Sequence, residues 1–212
     1  MTVEINQARV ASSADELLRD EPKVGALFDG RYKIISSLGE GGMGVVFAAS
    51  DTQRDDLPCA IKVIRAARRD SSAYLARLKR EREVMSKLNH PHIIEVFDVQ
   101  ESQSEQLPYL VMELLQGEPL DLWLKAERSR GAVSVSRLVR LLCQALDALE
   151  HAHRLNIIHR DIKPDNLFVC RDQAGLEQLK LLDFGIAKDH DANNLTEQLS
   201  NAMIGTPRYM HP

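Results

Sequence analysis

The chain has 212 residues, 44% of them hydrophobic, and a formal net charge of -4, enough for one or two globular domains with a real core. No run approaches the roughly 20 apolar residues that cross a bilayer, and the start, MTVEINQARV, has no basic region followed by an apolar stretch, so neither a membrane segment nor a secretory signal is expected and the expected location is cytoplasmic. Cys59, Cys143 and Cys170 show no CxxC or Cys/His spacing and read as reduced, mostly buried thiols rather than a disulfide framework or zinc site, while the mild acidity gives no reason to expect tight nucleic-acid binding.

Residues 1–27 are polar and charged, with a short helix expected at 14–19, and read as a leader. From Arg31 onward, β-type runs at 32–38, 45–49 and 59–64 alternate with a glycine-rich turn and a polar loop at 50–58, as in an antiparallel meander. Leu75, Leu78, Met85 and Leu88 then share one face at helical spacing, Asn89-His90-Pro91 ends that helix, and 93–99 and 109–112 read as two more strands. Five strands and one main helix thus form a small lobe over 28–114. Beyond Gly117 the pattern is mainly helical. Val135, Leu138, Leu142, Ala145, Leu149 and Ala152 recur at three- and four-residue steps, with Ser134 or Ser136 as the N-cap. Two short strands at 167–170 and 179–182 flank a turn at Gly175, and a long polar segment follows from Asp189. The expected class is α+β, with residues 115–212 as the second lobe.

The segment Gly39-Glu40-Gly41-Gly42-Met43-Gly44-Val45-Val46 fits G-x-G-x-x-G-x-V, in which missing side chains let backbone N–H groups approach a polyphosphate. Taken alone it fits a glycine-rich hairpin turn equally well; a dinucleotide fold is disfavoured because a strand, not a helix, follows the glycines. Strand alternation puts Lys62 on the face shared by Ala60 and Ile64, where an ammonium needs a partner. Glu81 lies on the apolar stripe of the following helix, three residues after Leu78 and four before Met85, and is the natural one. Each of these two reads singly as surface charge; their joint placement after a glycine-rich loop favours an inward pair.

The most specific segment is His159-Arg160-Asp161-Ile162-Lys163-Pro164-Asp165-Asn166, followed by Asp183-Phe184-Gly185. With the glycine-rich loop and the Lys62 strand, these residues resemble the signature set of protein kinases, in the same order, from about Phe28 to Pro212. Lys163 in HRD-x-K-P-x-N resembles the serine/threonine branch. Asp29-Gly30-Arg31-Tyr32 and Gly205-Thr206-Pro207-Arg208-Tyr209-Met210 are similar to bacterial kinases of the eukaryotic-like type.

The resemblance implies a bilobal kinase-like fold that binds ATP and Mg²⁺ and phosphorylates Ser/Thr hydroxyls of a protein substrate, with a homodimer for autophosphorylation. It implies that the backbone of Gly39, Glu40, Gly41, Gly42, Met43 and Gly44 covers the phosphates, with Leu38 beside them, that Lys62 contacts the α- and β-phosphates, and that Glu81 holds Lys62. Asn166 and Asp183 would bind Mg²⁺, Asp161 would accept the substrate hydroxyl proton, and Lys163 would steady the γ-phosphate. Val46 and Ala60 above and Phe168 below would form the adenine slot, with Glu113 to Leu115 as the hinge and Met112 as gatekeeper. Met85, Val96, His159 and Phe184 match an apolar column linking the lobes. Arg160 resembles the arginine that pairs with an activation-segment phosphate, for which Thr196 and Ser200 are candidates, and Thr206 resembles a threonine that contacts Asp161 and Lys163.

Where the family usually continues Met-Ala-Pro-Glu, this sequence reads Met210-His211-Pro212. The expectation is therefore a chain truncated in its activation segment, with an incomplete second lobe, marginal stability and weak or absent transfer. Two other readings stand beside an active kinase: a nucleotide-binding pseudokinase or scaffold, and a fragment that docks a partner through its unfinished face. Retention of Lys62, Glu81, Asp161, Asn166 and Asp183 argues against the pseudokinase.

Overall fold

Side chains that alternate between two sheet faces organise the first part of the chain. Along β3 (Gly44–Asp51) and β4 (Leu57–Ile64), Val45, Phe47 and Ala49 face one way with Cys59, Ile61 and Val63, and all are buried. The computed structural model describes residues 22–41, 44–64, 79, 82–83, 86–103, 107–172 and 174–184. These fall into two compact units, the first comprising the described residues up to 79 and Val96–Leu114, the second those from 82 to 95 and from 115 to 184.

The first unit is a six-stranded sheet in the order β1-β2-β3-β4-β6-β5, formed by β1 (Leu27–Phe28), β2 (Tyr32–Gly41), β3, β4, β5 (Val96–Glu101) and β6 (Pro108–Glu113). Every pairing is antiparallel. The expected antiparallel five-stranded lobe is upheld, with one difference in count: a sixth strand, only two residues long, pairs Phe28 with Tyr32. The last two strands order themselves so that β6 lies against β4, with Cys59 opposite Glu113 and Ala60 opposite Met112. The core is the cluster of Phe28, Tyr32, Ile34, Phe47, Ile61, Leu107, Tyr109, Val111 and their neighbours, each large side chain contributing about 1.5–3 kcal/mol by burial.

Two polar devices close this sheet and explain the Asp29-Gly30-Arg31-Tyr32 segment. Asp29, with a positive φ of 50°, accepts hydrogen bonds from the Tyr109 hydroxyl at 2.6 Å and the Gln103 N–H at 2.9 Å. Arg31 grips the buried Asp51 with two bonds, 2.8 and 2.6 Å long, and this guanidinium holds the Asp51 carboxyl below its ordinary range.

The second unit contains β7 (Gly117–Pro119), helices α1 (Leu120–Ser129) and α2 (Val135–Arg154), a 3₁₀ turn (Pro164–Asn166), β8 (Leu167–Arg171) and β9 (Glu177–Leu181). Ser134 is the N-cap of α2, accepting from the Arg137 N–H at 3.5 Å. Leu141, Ala145, Ala148 and Ala152 are the buried face of α2 and pack on Leu179, Leu181, Trp123 and Ile93. Val135 and Leu142, expected on that face, are exposed together with Val139 and Leu146. The helix carries two apolar stripes, and the periodic reading merged them. Arg137 ties three elements together, ion-paired with Glu127 on α1 and Glu177 on β9 while lying over the Trp123 ring.

Ile93 and Ile94, read as the start of a strand, belong to this second unit instead. Ile93 bridges Leu181 in parallel, the Ile94 N–H donates to the Leu181 carbonyl at 3.0 Å, and the Leu181 N–H donates to the His92 carbonyl at 2.8 Å. Of the three cysteines, Cys59 and Cys170 are buried and Cys143 is exposed, in line with mostly buried thiols. Burial pushes the Cys59 thiol up to about 11, leaving it protonated and inert at neutral pH. The leader helix at 14–19 and the face formed by Leu75, Leu78 and Met85 lie outside the described residues.

Candidate active site

The loop between α2 and β8 is shaped by one histidine. His159 is 1% exposed, and its Nε2 lies 2.9 Å from the Leu182 carbonyl. A carbonyl only accepts, so Nε2 carries the proton and Nδ1 must be the acceptor of the Asp161 N–H, 3.3 Å away. Burial, opposed by the Leu182 bond and by the charges of Asp161 and Asp183, holds the ring below its ordinary pKa and therefore neutral. The intervening Arg160 takes a left-handed φ of 62°, a conformation that costs a non-glycine residue about 1 kcal/mol and is held here by the two bonds of its neighbour's ring.

Asp161 is 8% exposed and Asn166 7%. The Asn166 Nδ2 donates to the Asp161 backbone carbonyl at 2.8 Å and to its Oδ2 at 3.0 Å, and Lys163 Nζ lies 3.2 Å from the same Oδ2. An ammonium and an amide thus hold one oxygen of a buried carboxylate, so the charge is compensated and the carboxylate plane is fixed. With its nitrogen committed to Asp161, Asn166 has its amide oxygen as its remaining side-chain acceptor.

Leu182 is the hub that sequence reasoning missed. Its N–H donates to the Asn166 carbonyl at 2.9 Å while its own carbonyl takes the His159 proton. Both backbone groups of the residue before Asp183 are therefore clamped by the loop that carries Asp161. The contacts are main-chain, so no side-chain pattern announces them. Asp183 follows with a φ of 39° and an exposed side chain. Phe184 turns inward, 7% exposed, with its ring 4.5 Å from that of His159.

Among the described residues no group of three or more His, Cys, Asp or Glu side chains is arranged to hold a metal. Asn166 and Asp183 offer two hard oxygen donors, which suits Mg²⁺, an ion that keeps several waters and shares substrate phosphates rather than demanding an all-protein cage.

In the first unit, Val46 stands opposite Lys62 across β3 and β4, and Ala60 stands opposite Met112. Ala60 and Lys62 are two residues apart, so these four share one face, opposite the core face of Ile61 and Val63. Ala60 and Met112 are buried; Val46 and Lys62 are half-buried. Leu38, Gly39 and Glu40 lie at the exposed end of β2, with Gly39 opposite Val46, Glu40 opposite Val45 and Gly41 opposite Gly44. Glu113 ends β6. In the second unit, Leu115 precedes β7, and the half-buried Phe168 on β8 pairs with Pro119 and Lys180. Gly42, Met43, Glu81, Met85, Gly185, Thr196, Ser200 and Thr206 lie outside the described residues, and with them the Lys62–Glu81 pairing.

The family model for the protein kinase domain matches residues 32–212. The chain belongs to the protein kinase family. It is 36% identical over 194 residues to the probable serine/threonine-protein kinase PknB of Bifidobacterium longum, covering 88% of this chain and 27% of that protein. It is likewise 36% identical to the serine/threonine-protein kinase PknA of Mycobacterium tuberculosis, covering 90% of this chain and 43% of that one. The crystal structure of the M. tuberculosis PknI kinase domain is similar at 28% identity and a TM-score of 0.64, over 78% of this chain and 64% of that chain. The chain thus spans about a quarter to under a half of the length of these curated relatives. The kinase-like fold and the resemblance to bacterial serine/threonine kinases are both upheld by these matches.

Proposed function

We propose that this kinase domain transfers the γ-phosphoryl group of ATP to serine or threonine hydroxyls of a protein, in the cytoplasm. One observation carries the reading: Asp161 has one carboxylate oxygen held by Asn166 and Lys163, in a loop tied by His159 to the residue before Asp183. Fixing Oδ2 sets the direction of the whole carboxylate, which can then orient a substrate hydroxyl and accept its proton. Lys163, already at the carboxylate, adds positive charge where the transferring group would carry negative charge.

Asn166 and Asp183 would hold Mg²⁺, and the nucleotide with its metal supplies the phosphoryl group and neutralises charge on it. Lys62, positioned by Glu81, would contact the phosphates, and the backbone from Gly39 to Gly44 would cover them. By the family pattern Val46 and Ala60 would lie on one side of the base and Phe168 on the other, and the backbone of Glu113 to Leu115 would be its hydrogen-bonding edge. A nucleotide-binding scaffold without transfer is less well supported, because every one of these groups is retained.

Nucleotide binding is testable by thermal unfolding. At about 100 times its dissociation constant, Mg-ATP stabilises by about 2.7 kcal/mol, which raises the midpoint by about 5–10 °C in a chain of this size. Asp183→Asn should remove the Mg²⁺-dependent part of that rise. An unchanged midpoint at millimolar Mg-ATP would count against the whole reading.

A further inference from the structure

A second histidine repeats the arrangement of His159 at a place the catalytic reading does not use. The His90 Nδ1 accepts the N–H of His92, two residues ahead, at 3.2 Å, and its Nε2 lies 3.3 Å from the Asp147 Oδ2 on α2. The folded geometry thus requires the neutral tautomer with the proton on Nε2. A second proton would fall on Nδ1 and turn its acceptor into a donor aimed at another N–H. His90 is moreover packed between two other imidazoles, 5.5 Å from the ring of His92 and stacked at 5.1 Å on that of His151. Among the described residues His151 Nε2 is buried with no hydrogen-bond partner.

This cluster sits where residues 90–94 attach to the rest of their unit. His92 Nδ1 meets the Leu179 carbonyl at 3.0 Å, and Gln178 Nε2 donates to the Pro91 carbonyl at 3.0 Å. His92 and Ile94 pair through their backbones with Leu181, two residues before Asp183. We propose that His90, packed with His92, His151 and Asp147, is an acid-sensitive latch: in mildly acidic conditions its protonation loosens residues 90–94 from α2 and β9, and with them the strand that leads to Asp183.

The charged and titratable groups acting on His90 have opposite signs. Asp147 on α2 favours its protonation, while His151 on α2 and His92 on its own segment oppose it, and burial opposes it most of all. The net effect holds the folded pKa below the ordinary value, so between the two pKa values the unfolded chain binds more protons and stability falls as pH falls. His159 adds an acid-sensitive background of the same sign, present equally in wild type and in the variants below.

The test is thermal unfolding of the full chain from about pH 7.5 to about pH 5.5. Wild type should lose about 2–4 °C beyond the background. His151→Phe keeps the stack but removes one imidazole, raising the His90 pKa and shrinking the loss; Asp147→Asn removes the favouring charge, lowering it and enlarging the loss. A merely structural role would destabilise both variants equally at every pH, and parallel profiles would overturn the proposal. If a variant does not fold, NMR titration of the wild-type His90 imidazole decides: His90 should titrate below the ordinary histidine value and shift the His92 and His151 resonances as it does so. Titration of His90 at or above the ordinary value, with no response from its neighbours, would overturn it.

Discussion

Asp161→Asn should reduce phosphoryl transfer by about 10²-fold or more while leaving nucleotide affinity within about twofold. The donors around Oδ2 dictate why. Asn166 Nδ2 and Lys163 Nζ both require an acceptor at that position, so an amide placed at 161 must turn its oxygen toward them and its NH₂ outward. The group offered to a substrate hydroxyl then donates where it must accept, and no proton can be taken up. The shape and the local hydrogen bonds survive, which separates this variant from Asn166→Ala, where the carboxylate loses a brace at its carbonyl as well as at Oδ2. Steady-state kinetics should show the loss in kcat with KM for ATP nearly constant. Undiminished turnover would mean that the base lies elsewhere.

Gly44→Ala should destabilise the fold on the order of 3 kcal/mol, whereas Gly39→Ala, in the same glycine-rich motif, should stay within about 1 kcal/mol. Gly44 has a φ of 150°, and a Cβ there would lie 1.9 Å from the Val63 carbonyl oxygen and 2.9 Å from its carbon. Both are main-chain atoms of the paired strand β4, so relief requires moving a strand rather than turning a side chain. At Gly39 an added Cβ meets nothing within 4 Å. Chemical denaturation of the two variants checks this, and equal stabilities would contradict the strand register. The glycine-rich motif therefore combines two demands, since its last glycine is already required by the sheet before any phosphate is considered.

The parts of this fold legible in the sequence were those with local causes. Alternation along β3 and β4 and the cap at Ser134 follow from neighbouring residues, and the positions of Asp161, Asn166 and Asp183 stand out through motifs at short spacing. Long-range pairing was less legible. Nothing near residues 108–113 indicates that this strand lies between β4 and β5, and Ile93 and Ile94 look like ordinary strand residues although their partner is Leu181. On α2, alanines at 145, 148 and 152 form the buried face, while the larger Val135, Val139 and Leu146 are exposed, so a ranking by hydrophobicity points to the wrong stripe. Leu182 acts through its backbone alone. The cluster of His90, His92 and His151 is scattered over some sixty residues of sequence and assembles only when residues 90–94 dock on α2.

On the proposed mechanism the carboxylate of Asp161 serves transfer to an alcohol. Incubation of the intact protein with γ-labelled ATP, Mg²⁺ and a serine- and threonine-rich protein substrate, followed by phosphoamino-acid analysis, tests this. Label on serine and threonine that disappears on chelation of Mg²⁺ and in Asp161→Asn is the predicted result. Nucleotide binding with no label transferred, or label confined to tyrosine, would contradict it.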